Sequence, residues 1–487
     1  MSCILSMAMM IMILMKLNGC ALASLTLVST LALSACAADG AEDEEAEDTG
    51  QGTPENSANE DGESEKIEPA DRESHEAGGP TPRLAITYDG GVSVLDGATL
   101  EIVDDFEADG FLRVSPAGDG RHLFLTEGES FRLLDAGTWG EPHGDHNHYY
   151  TTDPLLTDVT VDGDTPGHVV SHDGIGTLFF DGTGEIQWFD LADLPGIVDS
   201  GEEITTETDE TDEAHHGVAV VMEDGSRFET IGDDEDRPGA RVLDSEGEEL
   251  ARSEECPGVH GEAAGPEGIV AVGCEDGVLI WDGEEFEKID SGEEYARTGN
   301  LFPAEGSSIF LGDYNLDENG GEMTEVALVD ADAGEISTVD VGSPYNFRNL
   351  ARGPEGEALV LTEDGQLHVI DPETGEHTDH LDVVEEWTEP EEWQEPRPAI
   401  RVIDDIAYVT EPDSQQIHMV DLTELEVINS TELDFVPNEL EGADGRPVEG
   451  VSEDYDGGEG ENHDDHDDDH DHGDEDHDDQ EDDDQDH

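Results

Sequence analysis

The sequence predicts an all-β protein: a β-propeller of eight blades, with seven as the alternative, flanked by disordered acidic arms. Three observations carry this. β-rich hairpins recur at a spacing of roughly 45 to 50 residues, the length that one four-stranded blade requires. Each hairpin is two apolar runs joined by a turn containing Gly or Asp and closed by Asp. Beyond the N-terminal apolar segment there is no long amphipathic helical period.

In order, the hairpins are LAITYDGGVSVLD, HLFLTEGESFRLLD, TLFFDGTGEIQWFD, GIVAVGCEDGVLIWD, SIFLGDYN with EVALVD, EALVLTEDGQLHVID and IAYVTEPDSQQIHMVD. A short run ahead of most of them supplies an innermost strand: FLRVSP, HVVSH, HHGVAVV, VHGEAAGP, NLFPAEG, NLARGP and AIRVID. The first hairpin has no such run before it, so DFVPNEL (434–440) is expected to return and close the ring. The stretch 215–245 is irregular, which is why seven blades stay open.

The ends read differently. Residues 1–35 form a lipoprotein-type signal peptide: Lys16, an apolar run from Ala21 to Leu33, then Leu33-Ser34-Ala35-Cys36. That run is too short for a membrane span, and the L-S-A-C ending resembles a lipobox, with cleavage before Cys36 and lipid on its sulfur. Residues 1–14 lack a basic residue, so Met15 is the better start. Residues 36–82, acidic and rich in Gly, Ser and Pro, read as a disordered tether, residues 83–445 as the propeller, and residues 446–487 as a disordered tail. The protein is therefore expected outside the cytoplasm, lipid-anchored to the outer face of the cell membrane, and monomeric. Cys3 and Cys20 leave with the signal and Cys36 takes lipid, which leaves Cys256 and Cys274 as a pair to form a disulfide in an oxidising compartment.

Lys and Arg number 18 against 129 Asp and Glu, a formal charge of -111 that excludes nucleic acid as a partner. The acid is spread through the turns of the folded part as well as the arms, which suits concentrated salt, where charges are screened at short range.

Histidine carries the chemistry. The last segment, HDDHDDDHDHGDEDHDDQEDDDQDH, holds His463, His466, His470, His472, His477 and His487 among aspartates, with no apolar side chain. Imidazole suits Zn, Cu and Ni and carboxylate adds oxygen ligands, so this tail reads as a metal trap with zinc favoured. In the propeller, His168 with His172, His215 with His216, and His260 fall at the start of the inner strand in three successive repeats. Inner strands line the central channel, so these imidazoles converge into a ligand set for Zn2+, with Asp173 and Glu262 as nearby carboxylates. A further group, His143, His146 and His148 around Asp145, is read as a loop between blades that binds an ion locally. His122, His368, His377, His380 and His418 sit at ordinary strand or turn positions and read as structural.

The strings GDHNHYY, HVVSHDGIGTLFFDGTGEIQWFD, HHGVAV and CPGVHGEAAG resemble the AztD family of bacterial zinc metallochaperones, over roughly residues 83–445. The resemblance implies an extracytoplasmic propeller that binds zinc and hands it to the zinc-binding solute-binding subunit of an ABC importer. Its implied ligands come from His143, His146, His148, His168, His172, His215, His216 and His260. This chain departs from the family at its ends: family members can carry a metal-binding motif in a flexible N-terminal arm, whereas here that arm has His75 alone and the histidines lie at the C-terminus.

Two other functions are open to such a fold. A metal-dependent propeller hydrolase of the lactonase kind needs an open coordination position and a general base, for which Glu262 beside His260 is the candidate pair. No Ser-His-Asp grouping, phosphate loop or zincin motif supports an enzyme. A non-catalytic interaction propeller with a metal-buffering tail is the third reading.

Overall fold

The computed structural model describes residues 72–452 apart from 266, 267 and 449. The expectations for the signal peptide, Cys36, most of the tether and the histidines from His463 to His487 lie outside the described residues.

Eight four-stranded antiparallel sheets are present among the described residues, so the eight-bladed reading holds. Blade 3 shows the plan: Pro166–His172, Ile175–Phe180, Glu185–Asp190 and Glu207–Glu210 pair in chain order. Second and third strands are buried on both faces, which is why they read as continuous apolar runs. Outer strands take the acid: every residue of Glu207–Glu210 is exposed. The Asp that closes a hairpin begins the turn to the outer strand. Asp96 Oδ1 accepts the amides of Ala98 and Thr99, and Asp371 and Asp421 do the same two and three residues on.

Each blade packs its apolar face on the next. One cluster joins blades 2 and 3 through Phe124, Phe131, Phe180 and Phe189, and others follow around the ring to Ile86, Leu95, Tyr408 and Ile417 between blades 8 and 1. The junction of blades 3 and 4 differs in having a small separate cluster, Phe179, Ile186 and Ala219 with Trp188, besides Val170 packing with Val218 and Val220. Charge fills the rest. Glu229, 0% exposed, accepts from Arg227 Nε at 2.8 Å and Arg241 Nε at 2.7 Å, and the Arg227 guanidinium lies over Trp188. A polar interface explains why residues 215–245 look irregular in sequence yet form a complete blade (Ala219–Val221, Arg227–Ile231, Gly239–Leu243 and Glu249–Ser253).

Four sequence expectations need correcting. Ring closure is made by Leu440–Ala443 pairing with Arg83–Ile86, so DFVPNEL gives that strand only its last residue, Leu440, while Asn438 and Glu439 bond the Thr87 backbone on the way in and Phe435 stacks on Tyr88. The tether does not stay structureless to residue 82: His75–Ala77 pairs with Tyr149–Thr151, satisfying the edge of a hairpin (Thr138–His143 and His146–Thr151) that is inserted within blade 2 and not between blades. Nor does the tail begin at residue 446, because Val448 and Val451 pack into the cluster between blades 2 and 3. A short helix, Leu194–Ser200, seals the same cluster with Leu194 and Val198. No helix among the described residues is long and apolar enough to cross a membrane.

Candidate metal centre

His168, His216 and His260 come from blade 3, the approach to blade 4 and blade 5, and meet on the channel wall. One nitrogen from each lies within 4.8 Å of the others, and the Nε2 atoms of His216 and His260 are 3.0 Å apart. In every case the other ring nitrogen is held. His168 Nδ1 donates to the Gly217 carbonyl at 2.9 Å, His260 Nδ1 to the Gly299 carbonyl at 2.6 Å, and His216 Nδ1 pairs with Asp181 at 2.5 Å. Holding Nδ1 in this way fixes the tautomer and aims Nε2 at a common point. Two facing Nε2 lone pairs at hydrogen-bond distance repel unless a proton or a metal ion lies between them.

The glycines beside these histidines are part of the construction. A Cβ on Gly167 would fall 2.3 Å from Asp181, and one on Gly261 would fall 2.1 Å from the Gly299 oxygen. Gly217 supplies the carbonyl for His168, and a Cβ there would meet His215 and Thr230 at 2.5 Å. Glycine therefore flanks each ligand candidate where a partner of the site must approach. A flanking glycine, in GH, HHG and HG, is a signal that would have set these three apart from His172, which has none beside it.

Burial, with repulsion from its neighbours His216 and His260, keeps His168 far below the usual imidazole range; burial pushes His260 down to about 3. Both are neutral at ordinary pH, the form that binds metal. The cavity they face is about 690 Å3 and is also lined by Arg113, Glu262, Arg297, Asp313 and Trp393. Burial raises Glu262 to about 7. Asp313 accepts the amides of Gly299 and Asn300, fixing the turn whose carbonyl holds His260.

His172 and His215 do not join this group. His172 lies at the far end of its strand against Asp173, at 3.2 Å. His215 is buried with both nitrogens used, on the Glu213 carbonyl and Thr230 Oγ1, each at 3.0 Å. The carboxylate supporting the centre is Asp181, from the turn after TLFF, and Asp173 is elsewhere.

His143, His146 and His148 form a second, exposed group with nitrogens within 4.8 Å of one another. The pairing of His143 with His146 across the Gly144-Asp145 turn brings them together, and His143 Nδ1 is 3.0 Å from His148 Nε2. Glu76, from the strand read as tether, holds His148 Nδ1 at 3.1 Å. His122 and His418 are tied to Asp119 and to Ser430 and Glu411, in keeping with structural roles. His368, His377 and His380 share a face of blade 7, with ring centres 5.4 and 6.5 Å from that of His368. Cys256 and Cys274 are joined by a disulfide, buried beside blade 5 just ahead of His260.

In sequence the chain is 28% identical over 370 residues to the zinc chaperone AztD of Citrobacter koseri, covering 73% of this chain and 84% of that protein. In fold it is similar to the crystal structure of Citrobacter koseri AztD, with a TM-score of 0.66 at 24% identity over 75% of this chain and 98% of the other. The apo form of that protein gives a TM-score of 0.65 at 24% identity, over 74% and 98%. No family model matches the chain.

Proposed function

From the premise that this chain is AztD-like in sequence and fold, we propose that it is an extracytoplasmic zinc metallochaperone. It captures Zn2+ and passes it to the solute-binding subunit of a zinc ABC importer. The observation that carries this reading is the convergence of His168, His216 and His260, each with Nδ1 engaged and Nε2 turned inward. Three imidazole ligands leave one position open on a tetrahedral zinc ion, and an open position lets a receiving protein add a ligand before the donor releases one. His143, His146 and His148 form an outer holding site, exposed and so quick to exchange. The tail histidines His463, His466, His470, His472 and His477 gather the ion, and lipid on Cys36 keeps a monomeric propeller at the membrane.

Glu262 in the same cavity is what a hydrolase would use as acid or base. The relative is named a chaperone, and a chaperone needs no such group, so we read the chain as non-catalytic.

Chelator competition on residues 72–452, without either arm, tests the proposal. One tightly held zinc, lost when His168, His216 and His260 are replaced, is the expected result. Absence of tight binding would leave a scaffold with a metal-buffering tail, and turnover of a lactone by the zinc form would return the enzyme reading.

A further inference from the structure

We infer that the central site takes its metal together with a carboxylate, held in the fourth position by Arg113 and Arg297. This rests on the zinc reading above and names what completes the coordination.

Positive charge is scarce in a chain of formal charge -111, and guanidinium groups here usually find carboxylates. Arg72 and Arg121 share Asp135, Arg227 takes Asp209 and Glu229, and Arg348 takes Glu439. Arg113 and Arg297 are exceptions. Both are half-buried in the wall of the cavity that the three histidines face, and neither guanidinium makes a hydrogen bond or ion pair with any described residue. They share that wall with His168, His216 and His260. A third guanidinium, Arg237, donates to the His216 carbonyl at 3.3 Å.

Positive charge without a contacting carboxylate opposes a divalent cation beside it; Glu262 and Asp313 in the same wall offset part of it at longer range, and neutral imidazoles offset none. An anion between them reverses the sign. A carboxylate has the right form, because one oxygen can bind the metal while the other accepts from a planar guanidinium. The cavity, about 690 Å3, has room for a small organic acid or an acidic side chain of another protein. Glu262 on the same wall is the source within this chain. A carboxylate arriving from outside would also serve as the incoming ligand in transfer.

The test uses the mature full-length protein loaded with one equivalent of Co2+, whose visible bands report coordination. Sodium acetate is titrated at constant ionic strength, and zinc affinity is measured in parallel. The expected result is a saturable change in the bands and a tenfold or greater gain in zinc affinity, both lost in R113A/R297A. Without acetate that variant should bind zinc more tightly than the native chain, since two positive charges are gone. A spectrum insensitive to acetate but altered alike in E262Q and R113A/R297A also supports the carboxylate and assigns it to Glu262. An acetate response equal in native and R113A/R297A proteins overturns the inference, as does no response with native spectra in both variants. Failure of the underlying zinc reading is separate: H168A/H260A would then keep the cobalt spectrum.

Discussion

Gly261 lies so close to Gly299 that an added Cβ would stand 2.1 Å from its carbonyl oxygen, the same oxygen that holds His260 Nδ1 at 2.6 Å. The backbone at Gly261 is also left-handed, with φ at +62°. Side-chain size at one position is thus coupled to the aim of a candidate metal-binding imidazole at the next.

Gly261→Ala should therefore weaken zinc binding more than it weakens the fold. The conformational cost is about 1–2 kcal/mol for a non-glycine residue in that region, and relief of the clash must move the 299 carbonyl away from His260. Zinc affinity by chelator competition and the thermal midpoint of the metal-free protein check this. A variant with native affinity and only a lower midpoint would show that the carbonyl does not aim the ring.

His215 and His216 are adjacent in sequence and should behave oppositely. His216→Ala removes a nitrogen from the centre, and its loss of zinc affinity should exceed the about 10- to 100-fold typical of losing an outer partner. His215→Ala removes two buried hydrogen bonds, one to the Glu213 carbonyl, which keeps Thr211 Oγ1, and one to the Thr230 hydroxyl, which keeps the Val218 backbone; at about 0.5–1.5 kcal/mol for each bond this costs about 1–3 kcal/mol of stability and changes affinity by less than about tenfold. Urea unfolding and zinc competition on the two variants separate them, and equal losses of affinity would contradict the geometry.

That pair also shows how far the sequence could be read. Hairpin periodicity made the blades visible because a sheet buried on both faces must be apolar along its middle strands, as Ile175–Phe180 is. The start of the inner strand located His168, His216 and His260 for the same reason. Sequence register could not separate His216 from His215, because which ring turns to the channel depends on the local path at Gly217. Glu76 and Asp181 were missed as supports because each reaches its histidine from a distant part of the chain, 72 residues away for Glu76 and His148. The tether and tail boundaries failed because short segments with few apolar residues order only against a partner: the edge at Tyr149–Thr151 for one, the pocket receiving Val451 for the other.

Acid should loosen the metal-free fold before it frees the metal. His168 and His260 sit below the roughly 6.5 of an exposed imidazole, His260 at about 3. Between those values the unfolded chain binds more protons than the native one, so their contribution to stability is complete above about pH 6.5 and falls as the pH drops. The thermal midpoint of the metal-free protein should decline from pH 7.5 to 5, less steeply in His260→Ala. Two ordinary imidazole ligands would lose about a hundredfold in zinc affinity between pH 7.5 and 5.5 by proton competition. With both already neutral, the loss at the central site should stay below about tenfold, which competition assays at the two pH values decide.

Asp181 tests whether the centre is built or incidental. Its carboxylate pairs with His216 Nδ1 at 2.5 Å, accepts the Gly217 amide at 3.4 Å and abuts Gly167, so it ties the approach to blade 4 to the strand carrying His168. It is a partly buried turn residue that belongs to no apolar cluster among the described residues. Removing it in Asp181→Ala frees the His216 ring to rotate and lowers its basicity, at an expected cost of about 10- to 100-fold in zinc affinity. Asp181→Asn keeps an acceptor but not the charge and should fall between Ala and the native chain. The unfolding midpoint should hardly change in either. Affinity that is unchanged in both variants would mean that the orientation of His216 is set by the backbone alone and that the short contact with Asp181 has no part in binding.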